Sequence, residues 1–276
     1  MRRKTKIICT IGPATASFEG LKALYEAGMN IVRINMSHSD HDSAAKIINW
    51  INTRNRQVDY PVPVLLDTQG PEMRTGVLEN PMELNSGDVV TLSVRDGDLI
   101  EQRSIHVNYT ELVDVVEVGR IITVDNGLMN FRVLQKKDHQ LTCEVIDGGT
   151  LGSRKHVNLP GVRVNLPAIT SKDRDDIAFG MANDVDFIAL SFVRSPDDVV
   201  ELQQFLGSKR QSTKIVAKIE DQEGVNNIHQ IVAVADGVMV ARGDLGIETD
   251  IADLPNVQRR IVHACARQGK RCIVAT

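Results

Sequence analysis

Two charged side chains that could act on an anionic substrate stand two residues apart at the end of an apolar run. Lys218 and Glu220 flank Ile219 in the segment 214–220. Side chains alternate between the two faces of a strand, so both charges should lie on one face, inside the mouth of a barrel. Opposite charges buried there are costly unless they are used. A simple ion pair at the rim is the alternative interpretation.

A second carboxylate follows the next apolar run along the chain. Gly243 and Asp244 come shortly after the segment 237–241. Carboxylates from adjacent parallel strands can share a divalent ion such as Mg²⁺, whose remaining ligands are substrate oxygens and water. The same two residues open a predicted short helix whose free N–H groups could bind a carboxylate or a phosphate. Joined to the preceding lysine–glutamate pair, this turn predicts a Mg²⁺ site formed by Glu220 and Asp244.

Four oxygen-bearing side chains end two earlier apolar runs and together suit a monovalent cation. They are Asn35, Ser37, Asp67 and Thr68. A helix cap at the first pair and a turn at the second explain them equally well. Arg33 and Arg74 are near these residues in sequence and could fork onto phosphate oxygens, although a lone arginine is more often a solvated surface charge.

The elements that must position these groups are short apolar runs alternating with amphipathic stretches, a pattern typical of repeated β-α units. The runs carry their polar residues at the carboxyl ends, where a parallel α/β barrel builds its active site. Their Ile, Val and Leu content suits strands covered on both faces, in a barrel or a doubly wound sheet. Seven strands are predicted, at 6–11, 30–36, 62–67, 185–192, 214–220, 237–241 and 270–275.

Three of the intervening helices have clear sequence signals. The helix predicted over 17–28 ends at Gly28, which is placed to adopt a left-handed conformation. Ser195 and Pro196 begin a capping box with proline at the first helical position. Apolar residues every four positions predict a third helix over 256–269.

An inserted all-β domain is predicted between the third strand and the next helix. Over 71–166 the apolar period becomes alternating, including a hairpin whose turn is predicted at 136–139. Prolines and glycines cluster at both joints, as expected of a hinge. The predicted organisation is a (β/α) barrel formed by 1–70 and 167–276, with 71–166 as a mobile β-barrel lid.

Composition excludes several classes of protein. The chain has 276 residues, 42% of them hydrophobic, and a net charge of −4 with basic and acidic residues interspersed, so no nucleic-acid or anionic-membrane surface is expected. Its four cysteines show no C-x-x-C spacing and are predicted to be buried thiols in a reducing compartment. No apolar run reaches the length of a membrane span. We expect a cytoplasmic protein.

Six motifs resemble the pyruvate kinase family in order and spacing. They are Cys-Thr-Ile-Gly-Pro-Ala at 9–14, Arg-Ile-Asn-Met-Ser-His at 33–38, Asp-Thr-Gln-Gly-Pro-Glu-Met-Arg-Thr at 67–75, Asn-Leu-Pro-Gly at 158–161, Lys-Ile-Glu at 218–220 and the segment 239–246. The similarity covers the whole chain, as the N-terminal portion of a family member. It implies an incomplete TIM barrel with an inserted lid.

The resemblance implies transfer of a phosphoryl group from phosphoenolpyruvate to ADP in glycolysis, giving pyruvate and ATP, with Mg²⁺ or Mn²⁺ and K⁺. It assigns phosphoenolpyruvate to Arg33, Lys218, Gly243, Asp244 and Thr276, with Arg33, Lys218 and Thr276 as catalytic residues. It assigns the nucleotide to Asn35, His38, Arg74 and Lys155. It assigns Mg²⁺ to Glu220 and Asp244, and K⁺ to Asn35, Ser37, Asp67 and Thr68. Glutamate at position 72 matches the potassium-dependent members.

The resemblance ends before the family's eighth strand and C-terminal domain. We therefore expect a truncated chain with two open sheet edges, prone to association and poorly active. Thr276 is the last residue, where chains fray unless they are tied down. Full-length members of the family are homotetramers, but the sequence leaves the oligomeric state of this chain open.

Two other functions fit some of the same residues. A metal-dependent barrel lyase acting on a pyruvate enolate would also use Lys218, Glu220 and Asp244. A fragment that folds or binds a partner without catalysis is the third possibility. The inserted β domain and Arg74 favour the kinase.

Overall fold

The computed structural model describes residues 4–95, 103–162 and 164–276. The chain begins with strand β1 (Ile8–Thr10), helix α1 (Phe18–Glu26), strand β2 (Ile31–Asn35), helix α2 (His41–Asn55) and strand β3 (Val64–Asp67). Ser17 caps α1 by accepting the Gly20 N–H at 3.0 Å. Gly28 has a φ of 101°, so the predicted left-handed end of this helix is confirmed.

The following segment is an all-β insertion. It contains β4 (Met82–Leu84), β5 (Val89–Ser93), β6 (Ser104–His106), α3 (Leu112–Val115), β7 (Ile121–Val124), β8 (Met129–Lys137), β9 (Gln140–Asp147), β10 (Gly149–Leu151) and β11 (Val157–Asn158). Within the described residues the main sheet runs β11-β7-β8-β9-β5-β6, and β10 pairs with β4. Apolar side chains from both sheets enclose a core of their own, which includes Phe131.

The hairpin turn of this insertion is shorter than predicted. Strand β8 continues through Lys137, and only Asp138 and His139 separate it from β9. Asp138 has a φ of 48°, a left-handed conformation that aspartate tolerates in turns. The two lysines at 136 and 137 belong to the strand because long side chains can lie on a solvated sheet face.

The chain then returns to β-α units. These are α4 (Ser171–Ala182), β12 (Phe187–Leu190), α5 (Pro196–Leu206), a 3₁₀ turn (Gly207–Gln211), β13 (Lys214–Ile219), α6 (Gln222–Asn226), α7 (Ile228–Val234), β14 (Gly237–Ala241), α8 (Arg242–Glu248), α9 (Leu254–Arg267) and β15 (Arg271–Ala275). Ser195 and Asp198 form the capping box predicted for α5.

The seven predicted parallel strands are confirmed as one sheet. Its order is β1-β2-β3-β12-β13-β14-β15, and every neighbouring pair is parallel. A small interior cluster of Leu65, Ala189, Val216 and Met239 fills the concave face, while a larger cluster joins the convex face to the helices. Burial on both faces explains why the strands are nearly continuous apolar runs. The fold is an α/β incomplete barrel with an inserted β region.

The two joints of the insertion meet beside the N-terminus of α4. Asp173 forms a capping box with Thr170, and its Oδ1 accepts the buried N–H of Gly70 at 3.0 Å. Gly70 has a φ of 78°, which favours glycine. The domain boundaries at 70/71 and 166/167 stay a prediction, but the contact ties the residue before the insertion to the first turn of the helix after it.

Candidate active site

Lys218 lies at the centre of a buried polar cluster at the carboxyl ends of the strands. Its ammonium donates to Ser191 Oγ at 2.7 Å and lies 3.0 Å from both Asp67 Oδ1 and Glu220 Oε1. The side chain is only 10% exposed. Three neighbouring strands therefore fix one ammonium group by contacts to three oxygens.

Glu220 continues β13 and uses both carboxylate oxygens. Oε1 faces Lys218, and Oε2 accepts the backbone N–H of Phe192 at 2.6 Å. Phe192 itself has a φ of 50°, an uncommon conformation for a bulky side chain. Because Ser191 holds Lys218 and Phe192 holds Glu220, the end of β12 positions both members of the charged pair. Neither Ser191 nor Phe192 was among the predicted site residues. The one sequence signal for them is a serine that directly follows a fully apolar strand.

Burial and charge act in opposite directions on this pair. Burial would lower the pKa of Lys218, but the Glu220 and Asp67 carboxylates outweigh it and raise that pKa above its ordinary value. The lysine therefore stays protonated. Burial raises the pKa of Glu220 to about 7, with Lys218 opposing and Asp244 adding to the rise. Like charge on Asp244 disfavours ionisation of Glu220, as expected of two carboxylates that face one rim.

Arg33 provides a second cation at the same rim. Its Nε donates to Asp67 Oδ2 at 2.5 Å, and its Nη1 donates to Thr10 Oγ1 at 2.8 Å. The side chain is 24% exposed, whereas Asp67 is fully buried. Asp67 thus links Arg33 to Lys218 and holds two cations on the same side of the barrel mouth.

The four residues predicted to bind K⁺ lie on β2 and β3 or directly after them. Asn35 Oδ1 accepts the Ser37 N–H at 3.1 Å. The Thr68 hydroxyl donates to the Ala189 carbonyl at 3.2 Å and accepts the Ser191 N–H at 3.1 Å, so it is used inside the barrel. The Thr68 carbonyl in turn accepts the Ser191 hydroxyl at 2.7 Å, so both oxygens of Thr68 have partners inside the barrel.

One oxygen of the predicted K⁺ set already faces a cation of the protein. Asp67 Oδ1 is buried, and the Lys218 ammonium lies 3.0 Å from it. A K⁺ ion at this rim would have to share the Asp67 carboxylate with Lys218 and Arg33.

Gly243, Asp244 and Thr276 form the other side of the rim. Helix α8 starts at Arg242, whose Nε donates to the Ala275 carbonyl at 2.7 Å. A side chain on Gly243 would lie 3.9 Å from the Thr276 carbonyl. All three predicted residues are exposed, so they line the mouth and not the core.

The predicted nucleotide residues of the lid are engaged with carboxylates. Arg74 donates through Nε to Glu72 Oε2 at 2.7 Å, and its Nη2 lies 2.7 Å from His156 Nε2. A guanidinium can only donate, so this ring nitrogen accepts and the imidazole is neutral. Burial, the largest cause, also lowers the pKa of His156. Lys155 pairs with Asp125 at 2.8 Å.

The remaining predicted nucleotide residue, His38, lies on the barrel. His38 is exposed three residues after the end of β2, and its backbone N–H donates to the Asn35 carbonyl at 3.1 Å. Nucleotide candidates are thus found on both the barrel rim and the lid. Among the described residues, no contact joins the two groups directly.

The lid contacts the barrel over α8. Asn158 on β11 donates to Glu248 Oε1 at 2.7 Å, and Gly127 approaches the Ile247 side chain. A cavity of about 300 Å³ lies behind this contact, lined by residues of the lid joints and of the barrel, including His156, Phe192 and Asp221. The charge of Asp244 also reaches His156. The lid therefore lies close to the rim that carries Lys218 and Asp244.

The family model described as pyruvate kinase, barrel domain, matches residues 2–276. The chain belongs to the pyruvate kinase family. It is 44% identical over 277 residues to plastidial pyruvate kinase 2 of Arabidopsis thaliana, 45% over 280 residues to pyruvate kinase of Geobacillus stearothermophilus, and 43% over 276 residues to that of Clostridium perfringens. These matches cover 99 to 100% of this chain and 48 to 58% of the relatives. The chain spans about half the length of the relatives.

Over the described ranges, no group of three or more His, Cys, Asp or Glu side chains is arranged to hold a metal ion. A Mg²⁺ site of two carboxylates does not need such a group, since this ion usually keeps waters and substrate oxygens as ligands. In the same ranges, no helix is both long and apolar enough to cross a bilayer.

Proposed function

We propose that the barrel rim binds phosphoenolpyruvate and transfers its phosphoryl group to ADP, giving pyruvate and ATP as a step of glycolysis. The observation that carries this proposal is the pair of cations, Lys218 and Arg33, joined through the buried carboxylate of Asp67. Phosphoryl transfer spreads negative charge over the oxygens of the moving group, so catalysis depends on cations held in place beforehand.

The residues present fit Mg²⁺ or Mn²⁺ at Glu220 and Asp244, and K⁺ near Asn35, Ser37, Asp67 and Thr68. The supporting observations are the raised pKa of Glu220, to which Asp244 contributes, and the buried carboxylate of Asp67 on the same rim. When bound, these ions would neutralise negative charge on the phosphoryl group and on the two oxygens between which it is transferred. The protein's part is to keep Lys218 protonated and Glu220 aligned.

In this mechanism Lys218 and Arg33 bind the phosphoryl oxygens, and the N-terminus of α8 at Gly243 and Asp244 receives the substrate carboxylate. Thr276 lines the pocket beside Gly243, where the enolate must gain a proton at carbon. Asn35 and His38 on the rim and Arg74 and Lys155 on the lid would hold the nucleotide. Because Arg74 and Lys155 are paired with Glu72 and Asp125, nucleotide binding must exchange these ion pairs for phosphate contacts.

We propose a cytoplasmic location, no nucleic-acid or membrane partner, and a homo-oligomer for the longer proteins of this family. The first experiment adds phosphoenolpyruvate, ADP, Mg²⁺ and K⁺ to this chain and measures pyruvate through a coupled dehydrogenase, with the Clostridium perfringens enzyme as a positive control. Pyruvate formation that requires ADP supports the kinase. Pyruvate or enolate turnover without ADP supports a barrel lyase.

A binding measurement distinguishes a chain that has no substrate site from a fragment that binds the substrate without catalysis. Calorimetric titration with phosphoenolpyruvate in the presence of Mg²⁺ should show binding that Lys218→Met abolishes. Binding without turnover would identify a substrate-binding fragment. Neither binding nor turnover would contradict the proposed function.

A further inference from the structure

The cavity between the lid and the barrel takes no part in the proposed reaction. It has a volume of about 300 Å³ and is lined by the two joints of the insertion, β11, the segment after β12, α6 and the end of α8. None of the residues to which the substrates or metal ions were assigned lines it. Gly161 and Gln222 of the lining are exposed, so a ligand can enter from solvent on their side. Cavities of this size where two domains meet are common binding sites for small molecules.

Part of the cavity lining is apolar and is held in place by Arg194. Val164 and Leu166, in the exit joint of the insertion, line the cavity together with Phe192. The Arg194 guanidinium donates through Nη1 to the Val164 carbonyl at 2.8 Å and through Nη2 to the Leu166 carbonyl at 2.5 Å. The exit joint is therefore fixed at two points, and this guanidinium is bonded to neutral acceptors.

The cavity also has acidic and amide oxygens in its lining. Glu248 Oε1 accepts the Asn158 amide at 2.7 Å, and Asp221 Oδ1 accepts the backbone N–H of Gly224 at 2.7 Å. Within the described residues, neither carboxylate forms an ion pair. The amide oxygen of Asn158 is buried and has no hydrogen-bond partner. Acceptors in this state favour a ligand whose polar group only donates.

The charges of the lining favour a positively charged ligand. Burial raises the pKa of Glu248 to about 7, and the charge of Asp221 adds to the rise, as expected of two carboxylates that line one cavity. A cation bound there would stabilise the ionised form of both carboxylates. Because the rest of the lining is largely apolar, an organic cation fits the cavity better than a metal ion does.

We propose that this cavity binds a small organic cation of the amidinium or guanidinium class. Its planar head would donate to the Glu248 carboxylate and to the Asn158 amide oxygen, and its apolar body would lie against Val164 and Phe192. A flat cation with paired N–H groups matches a carboxylate better than a single ammonium does. Because the lid and the barrel both line the cavity, the bound cation would favour the arrangement in which they meet.

The test is calorimetric titration of the folded chain with benzamidine near pH 8, above the pKa of Glu248. Benzamide, which has nearly the same shape without the charge, is the matched control ligand. Benzamidine should bind at one site, and benzamide should bind about tenfold or more weakly. Glu248→Gln should weaken benzamidine binding by about tenfold. Glu79→Gln, which removes an exposed carboxylate of the insertion, should leave it unchanged.

A further variant locates the bound cation. Asp244 does not line the cavity, so Asp244→Asn should bind benzamidine as the wild type does. The proposal is overturned if the wild-type chain does not bind benzamidine or binds benzamide equally well, or if the affinity depends on Asp244 and not on Glu248. The two ligands compared on the wild-type chain decide the matter even where a variant fails to fold. None of these results depends on the turnover of phosphoenolpyruvate.

Discussion

Asn158 on the lid donates its side-chain amide to Glu248 on α8 across 2.7 Å, and the amide oxygen of the same asparagine is buried without a hydrogen-bond partner. Glu248 is itself largely enclosed, and burial raises its pKa to about 7. The lid and the barrel thus meet at a contact in which one of the two polar atoms of the Asn158 amide has no hydrogen-bond partner. The acceptor on the asparagine has no donor when the glutamate is ionised.

Glu248→Gln should stabilise the protein at alkaline pH. Since the folded-state pKa is raised from 4.5 to about 7, the folded protein holds this proton more tightly than the unfolded chain. The stabilisation is complete below the unfolded value and is lost as pH rises through the folded one. Glutamine keeps the acceptor and adds a donor for Asn158. We expect a gain of about 2 kcal/mol in unfolding free energy near pH 8 and little change near pH 5.

Urea unfolding of wild type and variant at the two pH values measures the difference. Glu79→Gln, an exposed glutamate of the insertion, is the control and should change nothing at either pH. A gain of equal size at both pH values would mean that the ionisation of Glu248 is not its cause.

Lys218→Met should be destabilising as well as inactivating. It leaves the buried carboxylates of Asp67 and Glu220 facing each other's charge without the shared ammonium. Loss of one partner from a buried pair costs about 3 to 5 kcal/mol. In the assay for pyruvate, removal of this cation should lower turnover by about 10² or more.

A double variant tests whether the lost stability comes from the carboxylate left without its ammonium. Lys218→Met combined with Glu220→Gln should recover much of the lost stability, measured by urea unfolding, and no activity. Lys214→Met, at the exposed start of the same strand, is the control for the substitution itself. Full recovery of turnover in the double variant would return Lys218 to a purely structural role.

Mg²⁺ binding should need both Glu220 and Asp244, since one hard anionic ligand comes from the end of β13 and the other from the first turn of α8. Calorimetric titration of Glu220→Gln and of Asp244→Asn with MgCl₂ should show a loss of affinity of about tenfold or more in each. Asp250→Asn removes an equal charge from the exposed loop after α8 and should bind as the wild type does. Wild-type Mg²⁺ affinity in either of these two variants would exclude the substituted residue as a Mg²⁺ ligand.

Gly70→Ala should damage the active site from the hinge. An added Cβ would lie 2.7 Å from the Ser191 Cβ and 3.0 Å from the Phe192 ring, and these two residues hold Lys218 and Glu220. We expect about 3 kcal/mol of destabilisation from strain and overpacking together. Turnover should fall with it.

The matched control for this variant is Gly119→Ala. Gly119 has a similar φ of 89° but nothing within 4 Å of the added carbon. It should cost about 1 kcal/mol, the cost of the backbone conformation alone. Thermal unfolding of both variants gives the comparison. Equal effects would show that the contact with Ser191 and Phe192 carries no cost.

The strands were predictable because burial on both faces leaves an unbroken apolar signal, and each predicted segment contains the observed strand. Lys218 and Glu220 were predictable because charged side chains at the end of such a strand are costly to bury unless they pair or bind a ligand. Ser191 was not, because a single serine after Leu190 carries no sign of its partner in sequence. The contact between Asn158 and Glu248 joins residues 90 positions apart, and periodicity cannot show such pairs.

The hydrogen bond from Gly70 to Asp173 spans 103 positions of sequence with a single 3.0 Å contact. The residue before the inserted segment is therefore in direct contact with the first turn of the helix that follows it. Because the two ends of the insertion are this close, a short turn in place of the insertion would close the gap and leave the β-α repeat in register.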